Sequence, residues 1–430
     1  MSDPNSQQPS SAPAGAGAPP PAALPDINAE TYPFDMVMHL LDQAAYFPMF
    51  CIPDHGRSGS FNQRVGTDIG ANLHRFSIVV QPPGKEGLSA SNVIGEKLAR
   101  MEHRWLFAPD GFAALPDREP PATPFDPSRS QRFVMLESIC RFENGKDGFK
   151  GFGTGRTFPT SYNGQSQLLA GAVGNIMEGW GKFHGLVGTY VYCGSISADL
   201  GFTGSLLCRV MDPEGVLRTQ RSLPDIQATK SPERDVAYVL FRGQKRNHKD
   251  KTQYIFGGGG SVDGLELRPQ IRLFNLDCAI DGRGDLLSTA NIGPVVGNMP
   301  AWIFFNVLNP GAPGTATAPI RFKDYDEYIF TTSDGATVGT FGFDGGAGRR
   351  LGFTHEDGGE GQAFTLALPA APRQQALRFG GYGPVVNGTG VFKDIRGLTA
   401  HNSVVGIAPH ALSTSFIARI NDPGGKYRED

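Results

Sequence analysis

Four residues in or beside apolar runs have the types and spacing for acid–base chemistry. Glu137 lies in Phe133-Val134-Met135-Leu136-Glu137-Ser138-Ile139-Cys140. Simple alternation puts it on one strand face with Phe133, Met135 and Ile139. A carboxylate on a face that lines a cavity can act as general acid or base. The same spacing also allows it to pair with Arg141. Tyr190 and Tyr192 alternate in Thr189-Tyr190-Val191-Tyr192-Cys193 and share a face with His184. Hydroxyl and imidazole groups in a cavity can polarise an epoxide or stabilise an enolate. The plainer alternative is a set of core aromatics with wet polar tips. Glu137, His184, Tyr190 and Tyr192 form the candidate catalytic set. Asp277 and Cys278 sit similarly in the run 271–280, and Arg156 and Arg349 read as loop ties.

Other chemistries lack their signatures. The nine histidines never occur at HxH or HExxH spacing, so no metal site is expected. Gly257–Gly260 lacks a following Lys-Ser/Thr, no nucleophile elbow is present, and no cofactor is implied. Lys plus Arg number 39 against 42 Asp plus Glu, a formal charge of −3, which does not describe a nucleic-acid binder. The basic cluster 242–251 reads as a solvated hairpin tip. The five cysteines, Cys51, Cys140, Cys193, Cys208 and Cys278, are scattered and form no CxxC pair. They read as reduced thiols of a cytoplasmic protein.

The elements that would position these residues are strands. Phe76–Val80, Phe133–Cys140, Thr189–Cys193 and 329–332 are short apolar or β-branched runs closed by turn residues. Met36–Tyr46 has helical apolar spacing and predicts one short helix near the N-terminus. Val93–Trp105 would pass for an amphipathic helix, but its partner segment further on contains Pro294 and Pro300, so an extended segment is expected.

That partner segment exists because the chain repeats. Gly174, Gly179, Gly181, Phe183 and Gly188 fall on Gly383, Gly388, Gly390, Phe392 and Gly397 at a constant shift of 209. Arg209, Asp212, Pro213 and Gly215 match Arg419, Asp422, Pro423 and Gly425 at a shift of 210. The Leu88–Gly95 stretch resembles Leu287–Gly293, and Trp105-Leu106-Phe107 resembles Trp302-Ile303-Phe304. A periodic self-match marks a repeated folding unit. The Asp-Pro-x-Gly pair predicts two equivalent turns. A residue kept in both copies serves the backbone; a polar residue in one copy is freer to serve function.

The segments Gly179-Trp180-Gly181-Lys182-Phe183 through Gly188 and Gly388-Thr389-Gly390-Val391-Phe392 through Gly397 resemble the Gly-x-Gly-x-Phe-x-x-x-x-Gly segment of allene oxide cyclases and plant dirigent proteins. The resemblance covers about 50 residues of each copy. It implies an all-β fold of two tandem closed antiparallel β-barrels, with an apolar cavity and no bound cofactor. The family's acidic catalytic residue has no counterpart placed by motif. The expected layout is a disordered Pro/Ala-rich tail (1–32), a first barrel domain with an N-terminal extension (33–225), a connecting segment (226–254) and a second barrel (255–428). The expected function is a cofactor-independent isomerase, cyclase or lyase acting on a small hydrophobic molecule. The alternative is a non-catalytic binding or scaffolding module. No nucleic-acid partner and no membrane span are expected, and a homo-oligomer is allowed.

Overall fold

The computed structural model describes residues 38–429 except 40, 55–66, 109–124, 163, 199, 219–220, 246–252, 258–261, 268, 300, 306–313, 316–318, 344–358, 368–374, 387 and 407–410. The tail 1–32 and Arg349 lie outside the described residues. The named elements form a single 20-stranded antiparallel network with two 3-10 turns. The short helix expected over Met36–Tyr46 is not a named element, although Met38, His39, Leu41 and Asp42 take helical backbone. Its last residues open strand β1 (Ala44–Pro53), where Ala44, Ala45 and Tyr46 pair with Met211, Val210 and Arg209. Strand pairing across the sheet overrides the local helical spacing.

Strands β2 (Thr67–Gly84), β3 (Gly87–Ala108), β4 (Arg132–Phe142), β5 (Gly148–Tyr162), β6 (Gln165–Trp180), β7 (Gly188–Ile196) and β8 (Phe202–Met211) follow. Each pairs with the next and β8 returns to β1, so the first half is a ring of eight strands. Val93–Trp105 is extended within β3, as expected. β2 continues through Pro82 and Pro83, and the turn falls at Lys85-Glu86 instead.

The second half carries the same sequence of pairings on more, shorter strands. β9 (Val236–Lys245) and β10 (Gln253–Gly257) precede β11 (Val262–Leu267), β12 (Gln270–Ile280), β13 (Leu286–Asn298) and β14 (Ala301–Phe305). β15 (Ile320–Thr331), β16 (Thr337–Phe343), β17 (Gly359–Ala367), β18 (Gln375–Val386), β19 (Gly397–Gly406) and β20 (Ala411–Asn421) complete the chain. β9 pairs with β12, β12 with β13 and β13 with β15; β16 and β17 lie in line between β15 and β18; β18, β19 and β20 lead back to β9. β9 thus lies inside the stretch read as a connecting segment. It also corrects the reading of 242–251 as a solvated tip: Arg242 and Gln244 are buried strand residues, and 246–251 lie outside the described residues. Arg242 tolerates burial because its guanidinium meets the Asp42 carboxylate at 2.7 Å.

The repeat is visible atom by atom. Gly181–Phe183 and Gly390–Phe392 are both 3-10 turns, entered through Trp180 (φ −131, ψ 164) and Thr389 (φ −127, ψ 165). Gly181 (φ +62) and Gly390 (φ +58) take the left-handed conformation that favours glycine. Phe183 and Phe392 are fully buried. After each repeat's last strand, Asp212 and Asp422 accept hydrogen bonds from backbone N–H groups of the following turn, Val216 and Leu217 in one case, Lys426 and Tyr427 in the other.

The halves meet through equivalent surfaces. A Cβ on Gly171 of β6 would meet the Tyr382 side chain of β18; a Cβ on Gly380 of β18 would meet Val173 and Val191. Gly171 and Gly380 are counterparts at the shift of 209, and so are Val173 and Tyr382. Residue i touches j while the counterpart of j touches the counterpart of i, which is the geometry of a two-fold dimer interface. One apolar core runs through this seam, joining Val173, Val191 and Leu207 to Phe379, Leu398 and Ile417. A second core fills the first ring.

Candidate ligand site at the seam between the halves

The interior of the first ring is packed with aromatic rings. Trp105 stacks on Phe133 at 4.1 Å, Tyr192 on Phe202 at 3.3 Å, and Phe142 on Phe183 at 5.2 Å. Tyr190 and Tyr192 both belong to this core. The Tyr192 hydroxyl donates to the Thr203 carbonyl at 2.6 Å. Burial pushes both tyrosine hydroxyls above their ordinary range. Both are core aromatics, as in the plainer alternative, but their hydroxyls are buried and not wet.

The structure does not bring Glu137 or His184 to them. β4 carries a bulge: its pairing with β5 shifts register between Met135 and Ser138, and its pairing with β3 shifts between Arg104 and Trp105. The extra residue breaks the alternation. Phe133 and Met135 face the ring interior, but Ser138, Cys140 and Phe142 follow them there. Glu137 is half-buried on the wall of an outward groove with Asp68, Glu102 and Ile139. His184 is exposed, because the 3-10 turn ahead of it interrupts the strand period. The histidine inside the ring is His103, whose ring nitrogen lies 2.8 Å from the Ser138 hydroxyl. Burial pushes its pKa down to about 3. The other two residues noted from the run 271–280 are also structural: Asp277 pairs with Arg75 at 2.7 Å, and Cys278 is buried.

A different group of side chains converges at the seam. Glu233 stands just ahead of β9, held by a tight turn in which its N–H donates to the Ser231 hydroxyl at 3.1 Å. Arg419 of β20 donates to Glu233 Oε1 from Nε at 3.0 Å and from an Nη at 2.6 Å. The Tyr238 hydroxyl donates to Glu233 Oε2 at 2.5 Å, and the Ser195 hydroxyl to Oε1 at 3.2 Å. Burial, then the Glu233 charge, push the Tyr238 hydroxyl well above the usual tyrosine range. Burial opposes the Arg419 charge, but Glu233 outweighs it and holds the guanidinium above its usual value. Arg419 is the buried cation and Tyr238 the fixed proton donor on one carboxylate.

Two cavities flank this node. One, of about 260 Å³, has Phe50, Phe76, Ile94, Val236 and Tyr238 on its walls. Phe50, Phe76 and Tyr238 meet edge to face at 5.2–5.9 Å, the geometry aromatic pairs prefer. The segment 427–429 closes it: Ala90 N–H donates to the Tyr427 carbonyl at 2.9 Å, and Glu429 N–H to the Ala90 carbonyl at 3.2 Å. The other is a groove of about 1020 Å³ in which Ser195, Thr203, Gln167 and Arg419 take part. Glu233 borders both.

The site has a structural twin. Tyr46 lies opposite Arg209 across β1 and β8, as Tyr238 lies opposite Arg419 across β9 and β20. Phe76 and Phe274 each follow a register shift and face Ile94 and Ile292. In place of Phe50, the twin has Arg242, whose guanidinium sits 5.4 Å over the Tyr46 ring and 5.2 Å over the Phe274 ring. In place of the Glu233 carboxylate, Arg209 reaches the Leu41 carbonyl at 2.8 Å. It also bonds the Ser413 carbonyl at 2.5 Å, and burial pushes its pKa down.

Glu233 and Tyr238 fell in the segment read as a connector. The signal that finds them is the Ala-Tyr pair at 45–46, repeated at 237–238, each opposite a repeated arginine.

Among the described residues, no group of three or more His, Cys, Asp or Glu is placed to hold a metal ion, and no helix is long and apolar enough to cross a membrane. No family model matches the chain, and no curated protein matches it. Among solved structures, a protein with unknown function from the DUF3598 family of Nostoc punctiforme PCC 73102 is similar at 10% identity, over 84% of this chain and 97% of that chain, with a TM-score of 0.13. A likeness at that score carries no argument about fold or function.

Proposed function

We propose that the chain is a tandem pair of eight-stranded barrels of the allene oxide cyclase and dirigent type, working as a binding module for a small hydrophobic molecule held at the seam. The observation that carries the reading is where the space lies. Stacked aromatics occupy the first ring's interior, while the aromatic-walled cavity opens beside Glu233, Tyr238 and Arg419. Pockets with apolar walls and a few convergent polar groups are the usual ligand sites. The five free, buried thiols fit a reducing compartment such as the cytoplasm.

Mass spectrometry of the purified chain under native conditions tests this. A small apolar molecule should be recovered, and Ala90→Met, which places a longer side chain in the cavity, should abolish its recovery. No recovered ligand from either protein would sink the reading.

An isomerase, cyclase or lyase activity is the second reading. The Tyr238–Glu233 hydrogen bond beside a cavity favours it, since a hydroxyl fixed this way can hold or pass a proton. Turnover of a recovered ligand should fall in Glu233→Gln. Loss in Glu137→Gln alone would return the chemistry to the wall of the first ring.

A further inference from the structure

The smaller seam cavity has an asymmetric rim. Its walls are apolar and aromatic, but Lys230, Arg234 and Arg428 stand around it together with Glu429. Lys230 and Arg234 are exposed and have no ion-pair partner among the described residues. The one carboxylate at the cavity floor, Glu233, is already neutralised by Arg419. Arg428 pairs with Asp422 at 3.7 Å, which leaves the two exposed cations Lys230 and Arg234 against the single acid Glu429 on that rim. The volume of about 260 Å³ is below the roughly 300–1,000 Å³ of pockets for drug-sized ligands. Space and charge together describe a ring-sized body with a negative head.

We propose that this cavity selects small organic carboxylates with an aromatic or branched apolar body. The body packs against Phe50, Phe76 and Ile94, and the carboxylate faces Lys230 and Arg234. Phe50, Phe76 and Tyr238 already meet edge to face, so a ligand ring adds a further partner to an existing aromatic cluster. Lys230 and Arg234 stand at the mouth, where a partly hydrated carboxylate keeps some of its water and avoids the cost of full burial. The twin site makes the same point in reverse. There an arginine, Arg242, fills the place of Phe50 and takes its own carboxylate, Asp42, from within the chain. In the twin the recess carries its own guanidinium; at the seam cavity the matching position is the Phe50 ring, and the exposed cations stand at the rim.

The inference rests on the seam as the ligand site, and the test separates the two claims. Phenylacetate, benzoate and 4-methylpentanoate are titrated into the full chain by calorimetry, beside neutral phenylacetamide and cationic 2-phenylethylamine. At least one carboxylate should bind, the amide about tenfold more weakly, and the amine not measurably. The exposed double variant Lys230→Ala/Arg234→Ala should erase the preference for carboxylate over amide while leaving the amide's affinity unchanged. Salt should weaken the carboxylates and not the amide. Amide binding as tight as carboxylate binding overturns the charge selection and leaves the seam site standing. Silence from all five probes overturns this inference; if mass spectrometry also recovers no ligand, the binding-module reading falls with it.

Discussion

His103 shows what burial does to one ionisable side chain. Its ring lies among Trp105, Phe202 and the Ser138 hydroxyl, and no carboxylate among the described residues is bonded to it. Desolvation favours the neutral imidazole and takes its pKa from 6.5 to about 3. The unfolded chain binds a proton there below about pH 6.5, and the folded chain does not until about pH 3. This contribution to stability is therefore intact above pH 6.5 and declines as the pH falls toward 3, by about 1.4 kcal/mol per unit. Urea midpoints measured from neutral pH down to about pH 4 should fall, and His103→Gln should flatten that slope. An unchanged slope would show that the histidine is protonated in the fold. At this scale the sequence was partly legible. Tyr190 and Tyr192 declared their shared face, because β7 is a regular strand. Glu137 did not, because a single bulged residue reverses every side chain beyond it, and nothing in Met135-Leu136-Glu137-Ser138 announces the bulge. Glu233 was missed because its significance comes from Arg419, 186 positions away.

The paired 3-10 turns were legible as elements. Glycine is required there for the positive φ at Gly181 and Gly390, and for the absence of a Cβ at Gly179 and Gly388, where one would collide with the carbonyls of Phe183 and Phe392. Constraints that strict keep the same residues in both copies. Gly145 and Gly335 also have positive φ, but open space surrounds the position of their missing Cβ. Alanine at Gly145 or Gly335 should cost about 1 kcal/mol through backbone strain alone. Alanine at Gly181 or Gly390 should cost clearly more, because carbonyl oxygens of Lys146 and Val338 stand in the way. Denaturant titration of the four variants checks the ranking, and equal costs would contradict it. The N-terminal helix was read too far along the chain: Met38, His39, Leu41 and Asp42 are helical, but Ala44, Ala45 and Tyr46 pair with β8, and that pairing overrides the helix propensity of alanine. The splitting of the second half into twelve shorter strands was not legible either, since breaks between paired segments leave the apolar runs intact.

Across the whole molecule the two halves are joined by one of the two apolar cores. Buried residues of β6, β7 and β8 belong to the same apolar body as those of β18, β19 and β20. Arg209 ties the halves further by bonding carbonyls of Asn402 and Ser413. Neither half can lose its structure without exposing the other's inner face. Differential scanning calorimetry of the full chain should therefore show one cooperative transition, with calorimetric and van't Hoff enthalpies in agreement. Two resolved transitions would mean that the halves unfold independently.

Covalent linkage of the repeats has a consequence for how the molecule can change. In an assembly of two identical chains, any substitution appears at both related positions. Joined end to end, Phe50 and Arg242 are encoded separately, so one recess can hold a guanidinium paired with its own carboxylate while the other is lined by a phenyl ring.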